Sequence, residues 1–277
     1  RGERVLDERP ASRWHGAGGD APRGAWIDAL EIPVGRYKVP PREIPALLPQ
    51  QLLALETALE AAEDARALGE APRLRAGAVI GLGLDPETTG FHLRWTLLQS
   101  ARRWAAANGF GDEAAIAAWV EELLPALGEP LDAARVLGAL GGVVAGRIAR
   151  ELSLGGPSFA VGGAEGAGLR ALDVAVRLLQ RGEVDAMVVG AVDLAGDLRA
   201  VRAADALRPF SRTGATRPFD AAGDGPAVGE GAVALVVKRL DDARRDGDRI
   251  YAVIRGMGAA SGGGAAAYER ALRQAWA

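Results

Sequence analysis

Glu165 stands where this 277-residue sequence most clearly sets up chemistry. It lies at the tip of a glycine-rich turn, residues 162–168 (GGAEGAG), between an apolar run and a helical pattern. A sharp turn that delivers a helix N-terminus is where many α/β enzymes present a nucleophile, because the free backbone N–H groups there stabilise negative charge. A carboxylate suits that role badly. It is a poor acyl acceptor, because the anhydride it would form is itself highly reactive. Once ionised, Glu165 is favoured by the helix dipole and can occupy the N–H groups that would otherwise bind an oxyanion. The other readings are a plain helix-capping or salt-bridging Glu, or a direct acid/base role.

The remaining candidates are weaker. The loop RPFSRTGATRPFDAAGDGPAVGE carries Phe219, Asp220, Asp224 and Glu230. Its plainer reading is a turn rich in Asp and Gly with Glu230 in a structural hydrogen-bond network. The spacing from Asp220 to Gly225 is not that of a calcium loop. Ser211 and Thr213 have no nearby His, so a serine-hydrolase triad has no support. Gly81 and Gly83 lack the third glycine of a dinucleotide fingerprint. With no cysteine and with His15 and His92 far apart, neither a disulfide framework nor a metal site is expected. No cofactor is implied.

The elements that must position Glu165 follow from periodicity. Strand Ser158–Val161, the turn, a helix over 169–181 and a second buried strand over 186–192 make one βαβ unit, because apolar spacing changes from near-continuous to helical and back. Upstream, residues 1–25 read as an irregular arm or linker containing Trp14 and His15. A short extended piece and a proline-rich turn lead into an amphipathic helix over 49–68, with Pro49 in its first turn and Leu52, Leu55, Leu59 and Ala62 on one face. Residues 74–84 read as a buried strand. Residues 88–125 carry two helical segments whose Trp95, Trp104, Phe110 and Trp119 are core or interface anchors. Residues 131–152 read as one helix interrupted by the small patch Gly138, Gly141, Gly142 and Gly146, which permits close packing inside the fold or at a subunit contact. Downstream, the runs 233–237 and 251–254 read as an antiparallel pair joined through a short helix or turn.

Composition sets the outer bounds. A chain that is 49% hydrophobic supplies a core for one large domain or two small ones. A net charge of −3, with arginines scattered among acids, argues against a nucleic-acid partner. No apolar run approaches the roughly 20 residues of a membrane span. The opening RGERVLDERP is too charged for a secretory signal, so a cytoplasmic location is expected. The absence of an initial Met and the closing helical ALRQAWA read as a segment of something longer, cut at both ends.

Three stretches together resemble the N-terminal part of a β-ketoacyl synthase of the thiolase superfamily. They are PPREI with LLPQQLLALETALEAAEDA, the turn GPSFAVGGAEGAGLRAL, and RPFDAAGDGPAVGEGAVALVVKRLDDARRDGDRIYAVIRG. The resemblance covers about residues 26–258. It implies a thiolase-like layered α/β/α/β/α fold, of which this chain is the N-terminal half plus part of the linker to the second half, with residues 26–277 as one ketosynthase-like domain. The family's turn reads approximately G-P-S-x-x-V-D-T-A-C-S-S-S-L, its Cys taking the acyl chain; Gly162 falls at the Asp, Ala164 at the Ala and Glu165 at the Cys. Gly163, Ala164 and Gly166 are thereby site-supporting, as are Phe219, Asp220 and Glu230 in a loop packing beneath the site. Neither His15 nor His92 matches the family's catalytic histidines, which belong to the second half.

The phrasing FAVGGAEGAGLRAL with GEVDAMVVGAVDLAGD is most similar to the chain-length-factor-like domains of polyunsaturated fatty acid and iterative polyketide synthases. The resemblance thus implies a non-elongating domain that pairs with an active ketosynthase and shapes the acyl tunnel, working with an acyl carrier protein and malonyl or acyl thioesters. The alternatives are an active malonyl-carrier-protein decarboxylase or condensing acyltransferase using Glu165, and a thiolase-like assembly domain unrelated to acyl chains. Pairing is expected through strand Ser158–Val161.

Overall fold

The computed structural model describes residues 22–277 except 34, 66–67, 69–72, 84–86, 110, 128–129, 131, 197, 215, 219 and 263. Trp14, His15, Phe110 and Phe219 therefore lie outside the described residues, as do the side chains of His92, Trp95 and Ala164.

Four strands make the central sheet: β2 (Ala76–Leu82), β3 (Ser158–Val161), β4 (Ala186–Asp193) and β6 (Gly231–Lys238), in the order β3-β2-β4-β6. β2 is parallel to β3 and β4, and β6 runs antiparallel to β4 along its whole length, from Ala186 opposite Lys238 to Asp193 opposite Gly231. β2 and β4 are covered on both faces, which is why both read as near-continuous apolar runs. On one face Ala78, Ile80, Val188 and Val192 pack with Leu52 and Leu55 of α1 (Pro49–Ala65) and with Val144 and Ile148 of α5 (Val143–Leu152). On the other, Val79, Met187 and Val189 pack with Ala171, Ala175 and Leu179 of α6 (Ala167–Gln180). Each such fully buried Ile, Val or Met is worth about 1.5–3 kcal/mol. The result is a helix–sheet–helix sandwich, the expected α/β architecture for one half of a five-layer fold.

Other elements attach to this sandwich. α2 (Glu87–Ala107) and α3 (Glu113–Leu123) share their own small core of Leu97, Ala101, Ala105, Ile116 and Val120. Trp104 and Trp119 meet edge-on there, centroids 6.2 Å apart, both partly exposed. A two-residue strand β1 (Gly24–Ala25) pairs in parallel with β5 (Val228–Gly229). Short helices α7 (Leu198–Leu207) and α8 (Leu240–Asp246) flank the loop and β6, and α9 (Ala265–Trp276) ends the chain.

Three expectations need correction. Residues 131–152 are two helices, α4 (Ala133–Ala139) and α5, separated at residues 140–142. The break is held by buried Gln51, whose amide donates to the carbonyls of Gly138 (2.6 Å) and Leu140 (3.0 Å) at the end of α4, which also accept from the N–H groups of Leu48 (3.2 Å) and Val143 (3.0 Å). Of the four glycines, Gly138 meets the Ala46 backbone where a Cβ would stand, whereas Gly142 and Gly146 face open space. The run 251–254 is not a strand, and β6 takes β4 as its antiparallel partner instead. Residues 249–251 are drawn toward α1, where Tyr251 donates to Asp64 (2.9 Å) and Arg249 pairs with the same carboxylate. Finally, α6 begins at Ala167, so the turn before it is shorter than expected.

Candidate functional site

The glycine-rich turn owes its tightness to what lies under it. Residues 164–166 form a single 3₁₀ turn, with Gly166 N–H bonded to Gly163 O at 3.1 Å, and α6 follows at once. The first turn of α6 rests directly on β2. A Cβ at Gly81 would lie 2.5 Å from the Ala167 carbonyl and 2.6 Å from the Gly168 nitrogen, and one at Gly168 would lie 2.8 Å from the Ala191 Cβ. Small Ala167, Ala171 and Ala175 continue this close approach along the helix. Gly81 therefore serves the contact between strand and helix.

Glu165 sits at the tip of this turn, its side chain 83% exposed. Its carboxylate accepts a hydrogen bond from Arg208 Nη1 at 2.9 Å. This differs from the expectation that it occupies the helix N–H groups: Glu165 lies within the 3₁₀ turn, one residue before the Gly166 N-cap of α6, and its carboxylate is engaged by Arg208 just beyond α7. Gly163 flanks it, with Arg170 Cδ near where a Cβ would be, and Gly166 is the N-cap of α6. Asp193, ending β4, shares the acidic neighbourhood. Its side chain is open to solvent but set among surrounding protein atoms, and its carboxyl is raised above the usual range by lost hydration and then by the charges of Glu165 and Glu230.

Glu230 is half-buried and acts as a structural bridge. Its two oxygens accept from Ile27 N–H (2.8 Å) and Ala195 N–H (3.0 Å), while its own N–H donates to Ala25 O (2.9 Å). It thus ties the strip around β1 to the residues after β4. Asp220 accepts from Ala222 N–H at 2.8 Å, a local Asx turn on the surface. Asp224 orders the same loop. It accepts from Ser211 Oγ (2.7 Å) and from the N–H groups of Arg212 (3.0 Å) and Thr213 (3.1 Å). Chiefly through the Ser211 bond, its carboxyl is held down to about 2. The structure brings Glu165, Asp193 and Glu230 together, and leaves Asp220 to a turn of its own.

Sequence reasoning missed Arg208 and Asp193. Arg208 meets Glu165 across 43 positions, and no local pattern marks that pair. Asp193 closes an apolar strand that passes beside the turn, so its place follows once the βαβ unit is drawn.

Among the described residues no group of His, Cys, Asp and Glu could hold a metal ion. No helix among them is long and apolar enough to cross a membrane.

Comparison with known proteins places these features in one family. The family model for the β-ketoacyl synthase N-terminal domain matches residues 7–243. The phthioceranic/hydroxyphthioceranic acid synthase of Mycobacterium tuberculosis is 34% identical over 271 residues, which is 94% of this chain and 11% of that one. A polyunsaturated fatty acid synthase polypeptide of a Thraustochytrium species is 30% identical over 259 residues, 88% of this chain and 12% of that one. In structure, the chain is similar to the ketosynthase from module 6 of the bacillaene synthase of Bacillus subtilis, with a TM-score of 0.63 and 25% identity, covering 91% of this chain and 37% of that one. The chain thus spans about a tenth of the length of these curated relatives.

Proposed function

The chain belongs to the β-ketoacyl synthase family, with the thiolase-like fold of its structural neighbours, and on that premise we propose that it is a non-elongating ketosynthase-like domain of a polyketide or fatty acid synthase. In this reading it pairs with an active ketosynthase and walls part of the acyl tunnel, as a chain-length factor does. The observation that carries it is the tip of the turn. Where the family presents a thiolate, this chain offers the Glu165 carboxylate, exposed and engaged with Arg208, and no cysteine exists anywhere in the sequence to replace it. A thioester meeting that site finds no stable acyl acceptor.

Pairing is supported by the sheet edge. Among the described residues β3 pairs with β2 alone, which leaves the far side of Ser158–Val161 as a strand edge without a partner among them; Phe159 on this strand is partly exposed. Such edges are templates for strand addition. The partners proposed are an active ketosynthase across that edge, an acyl carrier protein, and malonyl or acyl thioesters, in a cytoplasmic synthase. Slowed hydrogen exchange at 158–161 on adding the partner checks the pairing; exchange there that the partner leaves unchanged counts against it.

A second reading has one observation in its favour. Asp193 ends β4 in the neighbourhood of Glu165 and its carboxyl is raised from its ordinary value by lost hydration and then by the charges of Glu165 and Glu230; in this second reading it is the group that protonates the enolate left by decarboxylation of malonyl-carrier protein. The two readings separate when the protein is incubated with malonyl-carrier protein. The non-elongating reading predicts no sustained release of CO2 and acetyl-carrier protein. Turnover that Glu165→Ala abolishes is the opposite result.

A further inference from the structure

Asn108 is the sole asparagine of the sequence, and a glycine follows it. The pair closes α2: the helix ends at Ala107, and Gly109 takes the left-handed region at φ +78°. Asn108 is exposed, and a Cβ added at Gly109 or at Gly111 would meet open space. An asparagine followed by glycine carries a reaction within itself. The glycine amide nitrogen can attack the side-chain carbonyl carbon and close a five-membered imide, an intramolecular step whose two reactants are joined by the chain. Glycine has no Cβ to shield that nitrogen.

The reacting groups are lightly held. The leaving nitrogen, Asn108 Nδ2, donates to Trp104 O at 2.7 Å, and the attacking Gly109 N–H donates to Ala106 O at 3.3 Å, beyond the usual range for such a bond. Both acceptors belong to the last turn of α2, and exposed helix ends open at little cost. Opening that turn frees both groups at once. Asp224–Gly225 and Asp246–Gly247 share the spacing but not the chemistry. Their carboxyls are held ionised, chiefly by Ser211 at Asp224 and by Lys238 at Asp246, and an ionised carboxylate is a poor electrophile. At Gly225 a Cβ would also stand 2.3 Å from the Pro209 carbonyl, so that backbone has no room to rearrange.

We propose that Asn108 is a site of spontaneous covalent modification in the folded protein, and that its conversion loosens the joint between α2 and α3. The Gly109 nitrogen loses its proton and bonds to Asn108 Cγ; the Cγ–Nδ2 bond breaks and the amide nitrogen leaves as ammonia. Water then opens the imide. Attack at Cγ gives aspartate in the original main chain, and attack at the backbone carbonyl gives isoaspartate, whose main chain runs through Cγ and gains a methylene. One water is consumed and one ammonia released, with nothing oxidised or reduced. Either product removes the donor at Trp104 O and sets a negative charge at the C-terminal end of α2, where the helix dipole disfavours it. The strain falls on a short connection. Asp112 caps α3 by accepting from Ala114 N–H at 3.0 Å, and Arg102 of α2 donates to Glu113 of α3 at 2.6 Å. The edge-on contact of Trp104 with Trp119 belongs to the same joint. None of this depends on the function proposed for Glu165.

Ageing the 277-residue chain in mildly alkaline buffer, followed by peptide mapping, tests the proposal. The peptide containing residue 108 is expected to gain one mass unit and to split into two chromatographic species. The isoaspartyl species is expected to accept a methyl group from a protein isoaspartyl methyltransferase. Asn108→Gln, whose extra methylene makes ring closure slower, is expected to convert about tenfold more slowly or less. The modified chain, separated by its added charge, is expected to lose exchange protection over residues 113–116 by about tenfold. Asn108→Asp should reproduce part of that loss. The proposal is overturned if the folded chain keeps its Asn108 amide over the time in which a peptide copying residues 104–112 loses its own. It is equally overturned if Asn108→Gln gains mass at the parent rate, or if the modified chain keeps full protection over residues 113–116.

Discussion

The pair Glu165–Arg208 decides how the turn is understood. Both side chains are largely exposed, 83% and 61%, so their attraction is screened and contributes to folding within the range of ordinary surface pairs, about 0–1 kcal/mol. Arg208→Ala is therefore expected to change the melting temperature by less than about 2 °C in a thermal scan. A loss of several degrees would mean the pair holds the loop in place. Asp193 behaves differently. Its folded pKa lies above the unfolded value of 3.8, so ionising it costs stability as pH rises through that range, and the cost persists at neutrality. Asp193→Asn is expected to raise the melting temperature at neutral pH, with the gain fading as the pH falls to the unfolded pKa; a gain that is constant with pH would contradict the assigned cause. Of these residues only Glu165 is legible in the sequence. Its place at a strand-to-helix turn follows from periodicity, whereas its partner is a long-range neighbour with no local signature.

At the scale of elements, the βαβ unit is where sequence and structure agree best. β3 has the expected bounds and β4 extends by one residue, because each is an apolar run bounded by turn residues. The start of α6 comes two residues earlier than periodicity suggests, because glycines argue for a turn, and here Gly168 is helical for a tertiary reason, its closeness to Ala191. β6 is legible as a strand, but its neighbour is not. Its true partner β4 lies some 45 positions upstream, and adjacency in sequence favours the run 251–254. Gly81 is the position on which the elbow depends. Gly81→Val places branched carbons against the α6 backbone, and is expected to cost about 1–3 kcal/mol in a urea titration, with α6 and the turn losing exchange protection first. Equal stability of this variant and the parent would mean that α6 does not sit where it is described. Gln51→Leu should cost about 0.5–1.5 kcal/mol by removing one of the two donors at the Gly138 and Leu140 carbonyls, which keep the N–H groups of Leu48 and Val143.

The whole molecule is a sandwich whose loops are pinned by carboxylates, and this gives it a definite response to acid. Asp185, bonded by Arg75 and then Arg239, and Asp224, bonded chiefly by Ser211, both have folded pKa values of about 2 against 3.8 unfolded. A depressed carboxylate pKa supplies stability that is fully present above about pH 4 and is lost as pH falls toward about 2. The denaturation midpoint should therefore hold between about pH 7 and 5 and fall steeply between about 4 and 2, less steeply in the Asp185→Asn, Asp224→Asn double variant; identical acid slopes would contradict it. The family and the layered architecture are legible at this scale because three separated motifs carry them. The account's central claim concerns acyl transfer, and intact-mass spectrometry of the chain after incubation with malonyl- and acyl-carrier protein tests it most directly. The unmodified mass is predicted, with no adduct on the peptide containing Glu165; an acyl adduct there, lost in Glu165→Ala, would contradict it.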